Sequence, residues 1–262
     1  MRKSQITQTI KLLIKPKTNM SLIHTFEKSG TTLFRYRGQI PMLLFLVAVP
    51  VIYYTDYSRF DSDFIISVKV ISVLVCAIGL AIRIYTIGTA DAFTSGRNRE
   101  EQVAESLNTT GIYSVVRHPL YLGNYLMWAG IVMYTMNLSF FIIVSLLFWI
   151  YYERIMFTEE RFLERKFGED FKNWAGKTPA FLPAFSKYTP SRNPFSAVNT
   201  IKEYSGVLAA VGSFVFIQTL QDYFTYGEWV INYVSIAILL VTLLIVVVIK
   251  YIIRPMLARR MN

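Results

Sequence analysis

The chain has 262 residues, of which 53% are hydrophobic and 15% aromatic, and its mean hydropathy is +0.39. This composition excludes an ordinary soluble domain and predicts an all-α, polytopic integral membrane protein. The formal net charge of +10 is expected of loops that face anionic lipid, so we predict no nucleic-acid partner. One cysteine rules out an internal disulfide, and with only two histidines beside it no metal site is predicted.

Six apolar segments are predicted to cross the membrane. Four of them reach or approach the roughly 20 residues that a spanning helix needs, and two shorter ones gain length from aromatic flanks. In chain order the predicted spans are 40–54, 64–88, 120–136, 138–157, 204–223 and 229–253. Because the number is even, both termini are expected on the same side of the membrane.

The basic residues indicate which side that is. Of the 27 Lys and Arg residues, 24 fall in the first 37 residues, the loop 89–119, the stretch 154–202 and the tail from residue 250. Short cytoplasmic loops are enriched in Lys and Arg, so both termini are predicted to be cytoplasmic. The chain then divides into a basic cytoplasmic or interfacial segment 1–37, a four-span membrane core 38–185 with cytoplasmic polar segments, and a linker with two additional spans, 186–262.

Polar groups stand where the third predicted span begins. Residues 111–123 read Gly-Ile-Tyr-Ser-Val-Val-Arg-His-Pro-Leu-Tyr-Leu-Gly. Arg117 and His118 at a membrane edge cost free energy unless they are paired, which makes them a functional-site hypothesis by default. Pro119 suits the first turn of a helix. Gly123 lies four residues further on the same helix face and leaves room for a close-packed ligand or helix.

The fourth predicted span continues out of the bilayer as an amphipathic helix. It carries the adjacent acids Glu159 and Glu160 and is expected to end near Gly168. A short helix and a proline-braced loop follow, and that loop could fold back on the bilayer surface as a lid. Simpler interpretations stay open: Arg117 could reach phosphate headgroups, the two acids could form a solvated helix face, and Tyr121 could belong to an aromatic belt.

Together these segments resemble the isoprenylcysteine carboxyl methyltransferase and phospholipid methyltransferase superfamily of integral-membrane enzymes. The family pattern G-x-Y-x-x-V-R-H-P-x-Y-x-G is filled from Gly111 to Gly123. The following E-E-x-x-L is filled at Glu159, Glu160 and Leu163. The similarity covers roughly residues 70 to 185 and leaves the last two predicted spans outside it.

The resemblance implies a methyltransferase that uses S-adenosylmethionine, held at the cytoplasmic ends of spans three and four. This cofactor carries an ammonium, a carboxylate and a sulfonium, so it needs both acidic and basic partners. Arg117 and His118 are expected to bind the carboxylate, and one of the two glutamates the ammonium or the ribose. The residues that the resemblance assigns to the cofactor are Tyr113, Arg117, His118, Pro119, Tyr121, Leu122, Gly123, Glu159 and Glu160.

The nature of the methyl acceptor is predicted from charge. An amine acceptor favours a general base, and His118 is already assigned to the cofactor, whereas an oxyanion is ionised near neutral pH and needs cations to orient it. The chain supplies cations near this end of the membrane. Arg83 and Lys177 are predicted to act in catalysis, and Arg35, Arg37 and Arg97 to bind the substrate. A membrane lipid anion is therefore the favoured acceptor.

Two basic strings narrow the acceptor. Residues 34–38 (Phe-Arg-Tyr-Arg-Gly) and 94–97 (Thr-Ser-Gly-Arg) look similar to bacterial family members that act on the 1-phosphate of lipid A. The absence of organelle signals and the basic N-terminus predict a bacterial inner membrane, and the distribution of Lys and Arg predicts an active site that faces the cytoplasm. Three alternatives stay open: N-methylation of phosphatidylethanolamine, methylation of an isoprenylcysteine carboxylate, and a non-enzymatic transporter or assembly protein that keeps the motif as a scaffold.

Overall fold

A computed structural model describes residues 21–91, 104–230 and 232–261, and these residues contain ten α-helices and no β-strand. The prediction of an all-α protein is confirmed. The helices are α1 Leu22–Arg35, α2 Leu43–Tyr54, α3 Ser62–Thr89, α4 Pro119–Met133, α5 Leu138–Phe167, α6 Glu169–Ala175, α7 Ala197–Thr200, α8 Tyr204–Tyr226, α9 Tyr233–Val248 and α10 Arg254–Met261.

Local sequence sets where the main helices begin and end. Asp61 caps α3 and Asn137 caps α5, because each side chain accepts a hydrogen bond, of 2.8 Å and 2.9 Å, from the backbone N–H three residues on. Pro119 occupies the first position of α4, as predicted. Helix α5 ends at Gly168, whose φ of 55° favours glycine. This end is also as predicted.

Four helical segments of the described chain are long and apolar enough to cross a membrane: α3, α5, α8 and Tyr233–Leu257. A fifth crossing arises if Leu22–Arg35 and Ile40–Tyr54, which are bent by 71° relative to each other, are counted as one broken span. The third predicted span, 120–136, is the 15-residue helix α4, and that length extends only about 22 Å. The membrane class is confirmed, whereas six spans and cytoplasmic termini stay predictions.

Helix α4 is shorter than predicted because the chain turns before the predicted end of the span. The backbone has a positive φ of 58° at Met136, and the next residue, Asn137, already caps α5. The Asn137 side-chain amide also donates a 3.0 Å hydrogen bond to the Thr55 hydroxyl at the end of α2. The turn is thereby fixed against a neighbouring helix.

Helices α3 and α4 pack closely along a line of glycines. A Cβ atom placed on Gly79 would lie 2.6 Å from the carbonyl oxygen of Gly123, and one placed on Gly123 would lie 2.6 Å from Cγ of Arg83. Neither position tolerates a side chain, which is how small residues permit close helix contacts in membranes. The room predicted at Gly123 is therefore filled by α3 and by the stem of Arg83.

Helix α1 packs along α5. The Tyr151 hydroxyl on α5 donates a 2.8 Å hydrogen bond to the Leu33 carbonyl, and Arg165 forms an ion pair with Glu27. The described part of the basic N-terminal segment is thus a packed helix. Its C-terminal end delivers residues 36–38 to the same region as the start of α4.

At the far end of the molecule a group of polar side chains joins α8 to α3 and α4. We call Lys69, Tyr134, Gln218 and Asp222 the Gln218 network. Lys69 Nζ and the Tyr134 hydroxyl donate to Gln218 Oε1 at 2.8 Å and 2.9 Å, and Gln218 Nε2 donates to Asp222 Oδ1 at 2.8 Å. At the opposite end Arg83 is bonded both to Asn124, near the start of α4, and to Glu203, just before α8. Because the starts of α4 and α8 lie together and Tyr134 meets Gln218 further along both, the two helices run in the same direction.

Candidate active site

A cavity of about 720 Å³ opens among α3, α4, α5 and the start of α8, beside the α1–α2 connection. Small-molecule pockets in proteins commonly measure about 300–1,000 Å³, so this cavity can hold a cofactor together with part of a second molecule. Seven of the nine residues predicted to bind the cofactor line it. They are Tyr113, Arg117, His118, Pro119, Tyr121, Glu159 and Glu160.

The other two residues of that set lie off the cavity. Leu122 is buried and packs with Val115 and Val116 beneath the motif. Gly123 faces α3, as described above. Both therefore support the position of the motif without lining the cavity.

The proline-braced loop holds the motif in place through the main chain. The Arg117 N–H donates to the Pro179 carbonyl at 2.9 Å, and the His118 N–H donates to the following carbonyl at 3.2 Å. The Trp174 indole N–H, on α6, donates to the Tyr113 carbonyl at 3.1 Å. The first two bonds satisfy backbone donors just before α4, where they have no helical partner. The loop thus braces the motif, and its role as a lid on the bilayer surface stays a prediction.

The side chains of the motif meet the two glutamates of α5. We call Arg117, His118, Tyr121, Glu159 and Glu160 the ion-pair cluster. His118 Nε2 lies 2.8 Å from Glu160 Oε1, and its Nδ1 lies 3.7 Å from Glu159 Oε2. Arg117 Nε lies 2.9 Å from Glu160 Oε1, and the Tyr121 hydroxyl donates to Glu159 Oε1 at 2.6 Å. The two elements predicted to form one site therefore do meet.

The two glutamates differ in how many bonds they form with other residues of the chain. Glu160 is held by both His118 and Arg117, whereas Glu159 has one hydrogen bond from Tyr121 and only a distant imidazole nitrogen. The His118 side chain is 6% exposed, but a quarter of each glutamate side chain remains exposed, and both line the cavity. Glu159 therefore has the greater capacity to accept a further hydrogen bond from a bound cation.

Two other groups of the cavity are suited to a polar ligand. Burial, reinforced by the nearby Glu159 carboxylate, raises the pKa of the Tyr113 phenol well above its usual value, so Tyr113 stays a neutral donor at physiological pH. Arg117 also lines the cavity, where its Nε forms the ion pair with Glu160 and its Nη1 donates a 2.7 Å hydrogen bond to the Ala175 carbonyl.

The structure separates the cations that were predicted to act on the acceptor. Arg37 lines the cavity, with its guanidinium carbon 3.7 Å from the centre of the Phe34 ring. Arg83 also lines it, but its Nε and Nη2 donate to Glu203 at 2.8 Å and 3.0 Å, and its Nη1 donates to Asn124 Oδ1 at 2.6 Å. The bidentate pairing with Glu203 offsets the charge that Arg83 would offer a ligand.

The remaining predicted cations are not part of the cavity wall. Arg35 and Lys177 are exposed and do not line the cavity. Arg97 lies outside the described residues. The substrate-binding prediction therefore gains a structural basis at Arg37, and the catalytic prediction for Lys177 gains none.

The cavity is also lined by Asn124, Tyr152 and Glu203, which were not predicted as site residues from the sequence. Asn124 accepts from Arg83 and donates a 3.3 Å hydrogen bond to the Tyr152 hydroxyl. An asparagine three residues after Tyr121, on the same face of an apolar helix, was a signal that could have been used. Glu203 gave no such signal, because it pairs with a residue 120 positions earlier in the chain.

Comparison with known proteins adds an independent observation. Residues 68–170 match the sequence profile of the phospholipid methyltransferase family. This segment is therefore similar to that family. It contains the motif and both glutamates of the ion-pair cluster, so the superfamily predicted from the sequence is confirmed. The family match ends before Glu203 and α8.

Three curated proteins illustrate the relationship. The cobalt-zinc-cadmium resistance protein CzcN of Cupriavidus metallidurans is 34% identical over 135 residues, which are 50% of this chain and 57% of that protein. The nickel-cobalt-cadmium resistance protein NccN of Alcaligenes xylosoxydans xylosoxydans is 32% identical over 137 residues, or 51% and 59%. The protein-S-isoprenylcysteine O-methyltransferase of Schizosaccharomyces pombe is 32% identical over 89 residues, or 34% and 36%.

The chain thus spans little more than half the length of the first two relatives and about a third of the third. No solved structure gives a significant match.

Proposed function

We propose that the protein is an S-adenosylmethionine-dependent O-methyltransferase of a membrane lipid anion, with the 1-phosphate of lipid A as its acceptor at the cytoplasmic face of a bacterial inner membrane. The observation that supports it best is a single cavity that combines the ion-pair cluster of a phospholipid methyltransferase domain with a guanidinium, Arg37, on its wall. Both a charged cofactor and an anionic headgroup find partners there.

The residues of the cavity suit the cofactor. Glu159, which forms fewer bonds within the chain than Glu160, would bind the ammonium, and Arg117, a cation on the cavity wall, would bind the carboxylate. The Tyr113 and Tyr121 rings offer surface to the adenine or the sulfonium. His118 lies between the two glutamates and would orient them; its contact with the cofactor carboxylate stays a prediction.

When bound, S-adenosylmethionine supplies an electrophilic methyl group. A phosphate oxygen of the acceptor needs no deprotonation, because a phosphate monoester carries about −1.5 to −2 charges at pH 7. The chain therefore has to position the headgroup and shield it from water, and it needs no general base. Arg37 is placed to orient the oxyanion, since its guanidinium lines the cavity.

Two measurements test this function. Isothermal titration of purified protein with S-adenosylhomocysteine should show binding that Glu159→Ala and His118→Ala remove. Mass spectrometry of lipids from cells with and without the gene should show a lipid heavier by one methylene unit, whose fragments place the methyl group on a phosphate. Absence of both cofactor binding and any gene-dependent methylated lipid would contradict the proposal.

A second candidate is N-methylation of a phospholipid amine such as phosphatidylethanolamine. The observation that favours it is the presence of three acidic side chains, Glu159, Glu160 and Glu203, on the cavity wall, because a carboxylate can bind an ammonium headgroup. The same lipid mass spectra distinguish the two. A methyl group on the amine fragment supports this second candidate, and one on the phosphate fragment supports the first.

A further inference from the structure

The cavity does not end at the ion-pair cluster. It continues between α4 and α8, where it is lined by Met127 and Ile131 on α4 and by Ser205, Gly206, Ala209, Ala210 and Ser213 on α8. Apart from the hydroxyl groups of Ser205 and Ser213, the second of which is bonded to its own helix, these side chains are apolar or absent. We call this part of the cavity the α8 arm.

The change from polar to apolar follows the helix repeat. On α4 the cavity-lining residues recur every three or four positions, so one helix face carries Tyr121 and Asn124 first and Met127 and Ile131 beyond them. On α8, Glu203 precedes the same kind of apolar row. Because α4 and α8 run in the same direction, both walls become apolar toward the same end. The α8 arm therefore continues the part of the cavity that the ion-pair cluster lines.

The α8 wall of the arm is recessed because small residues form it. It extends about 10 Å along the helix from Gly206 to Ser213. A Cβ atom placed on Gly206 would lie 3.6 Å from Glu203 Oε2 and 3.8 Å from the nearest atoms of Leu80 and Met127. These are ordinary contact distances, so the glycine leaves space in front of it. No close helix approach explains its lack of a side chain, in contrast to Gly79 and Gly123.

We infer, on the basis of the proposed methyl transfer, that the α8 arm binds one hydrocarbon chain of the acceptor lipid. The headgroup would lie in the polar part of the cavity that Arg37 lines, with its reacting oxygen toward the ion-pair cluster. A small soluble acceptor would leave the arm filled with water against apolar walls, which is unfavourable. An amphiphile matches both halves of the cavity. Helix α8, outside the family match, is then a determinant of substrate specificity.

The test uses two bulky substitutions in the arm and one matched control. Gly206→Leu and Ala209→Leu place a side chain in the cavity, and Ala209 is exposed and lines it, so the second variant does not disturb a packed core. Gly212→Leu makes the same change on the same helix, where an added Cβ atom meets nothing within 4 Å. All three changes also have favourable or neutral helix propensity.

Purified full-length variants are compared by S-adenosylhomocysteine binding and by transfer of tritiated methyl groups to lipid extracted from cells that lack the gene. Both arm variants should bind S-adenosylhomocysteine like the wild type, within about threefold. They should transfer label at least about tenfold more slowly, because the leucine displaces buried methylene groups. The remaining labelled lipid should have shorter chains. Gly212→Leu should match the wild type in each respect.

The outcomes separate the inference from the proposed function. Wild-type protein that neither binds S-adenosylhomocysteine nor transfers label overturns the proposed function and the inference with it. Active wild type with unchanged transfer and unchanged chain lengths in both arm variants overturns the inference alone. Loss of S-adenosylhomocysteine binding in both arm variants also overturns it, because the arm would then serve the cofactor. If only Gly206→Leu loses S-adenosylhomocysteine binding, the inference is decided by the transfer rate and the lipid chain lengths measured with Ala209→Leu.

Discussion

The molecule has polar side chains within its helices at both ends, and the two groups differ in what they face. The ion-pair cluster lines a cavity, and a quarter of each of its glutamate side chains is exposed there. The Gln218 network does not line that cavity, and its side chains bond to one another. Lys69 and Arg83, one from each end of α3, are about 21 Å apart along the helix axis.

The difference shows that an ionisable residue in a membrane helix is not by itself evidence of a site. Such residues are functional hypotheses by default, and the structure assigns Lys69 a different role. It donates to Gln218 and so joins α3 to α8. The glutamates of the ion-pair cluster also join two helices, but they keep accessible oxygen atoms. The ion-pair cluster thus has access to the cavity, and the Gln218 network does not.

The largest expected effect concerns Glu203, which lines the cavity yet has a partner within the chain. Glu203→Leu leaves the Arg83 guanidinium, with a side chain only 19% exposed, without its carboxylate. We expect a loss of about 3–5 kcal/mol of unfolding free energy, measured by denaturant unfolding in detergent micelles. The double variant Arg83→Met with Glu203→Leu should recover most of it. A single variant as stable as the wild type would show that the pair is not a structural bond.

The next effect separates Glu159 from a nearby acid on the same helix. Glu159→Gln should weaken S-adenosylhomocysteine binding by about 10- to 100-fold, since a hydrogen bond to a charged group contributes about 1.5–3 kcal/mol. Glu164→Gln is the control, because Glu164 pairs with Arg161 and does not line the cavity. Titration calorimetry measures both. Equal affinities for the two variants would contradict the assignment of the ammonium site.

The smallest effect should come from the Gln218 network. Tyr134→Phe removes one hydrogen bond to Gln218 and should lower stability by about 0.5–1.5 kcal/mol, with no change in S-adenosylhomocysteine binding. Tyr226→Phe, at a hydroxyl on the exposed end of α8, is the control and should change neither. Reduced cofactor affinity in Tyr134→Phe would mean that the Gln218 network and the ion-pair cluster are coupled, which would contradict the separation of the two groups.

Features that depend on neighbouring residues were predictable from the sequence. Pro119 marks the start of α4 and Gly168 the end of α5, because proline fits the first helical turn and glycine adopts positive φ. The meeting of the motif with Glu159 and Glu160 followed from the family pattern. Seven of the nine predicted cofactor residues line one cavity for that reason.

Features that depend on distant parts of the chain were not predictable. Arg35 and Arg37 are equivalent in the sequence, but α1 ends at Arg35, and the following turn brings the Arg37 guanidinium to the Phe34 carbonyl at 2.9 Å and into the cavity wall. Glu203 is a single acid in a basic region, and its pairing with Arg83 depends on how α8 packs against α3. The length of α4 depended on a turn at Met136, a residue type that seldom adopts positive φ.

We propose the ion-pair cluster as the cofactor site of a lipid methyltransferase. The most direct measurement is transfer of tritium from methyl-labelled S-adenosylmethionine to extracted membrane lipid by purified protein, comparing wild type with His118→Ala. The wild type should place label in the organic phase, and His118→Ala should place almost none, because Glu159 and Glu160 lose the imidazole between them. Equal transfer by the two proteins, or none by the wild type, would contradict the account.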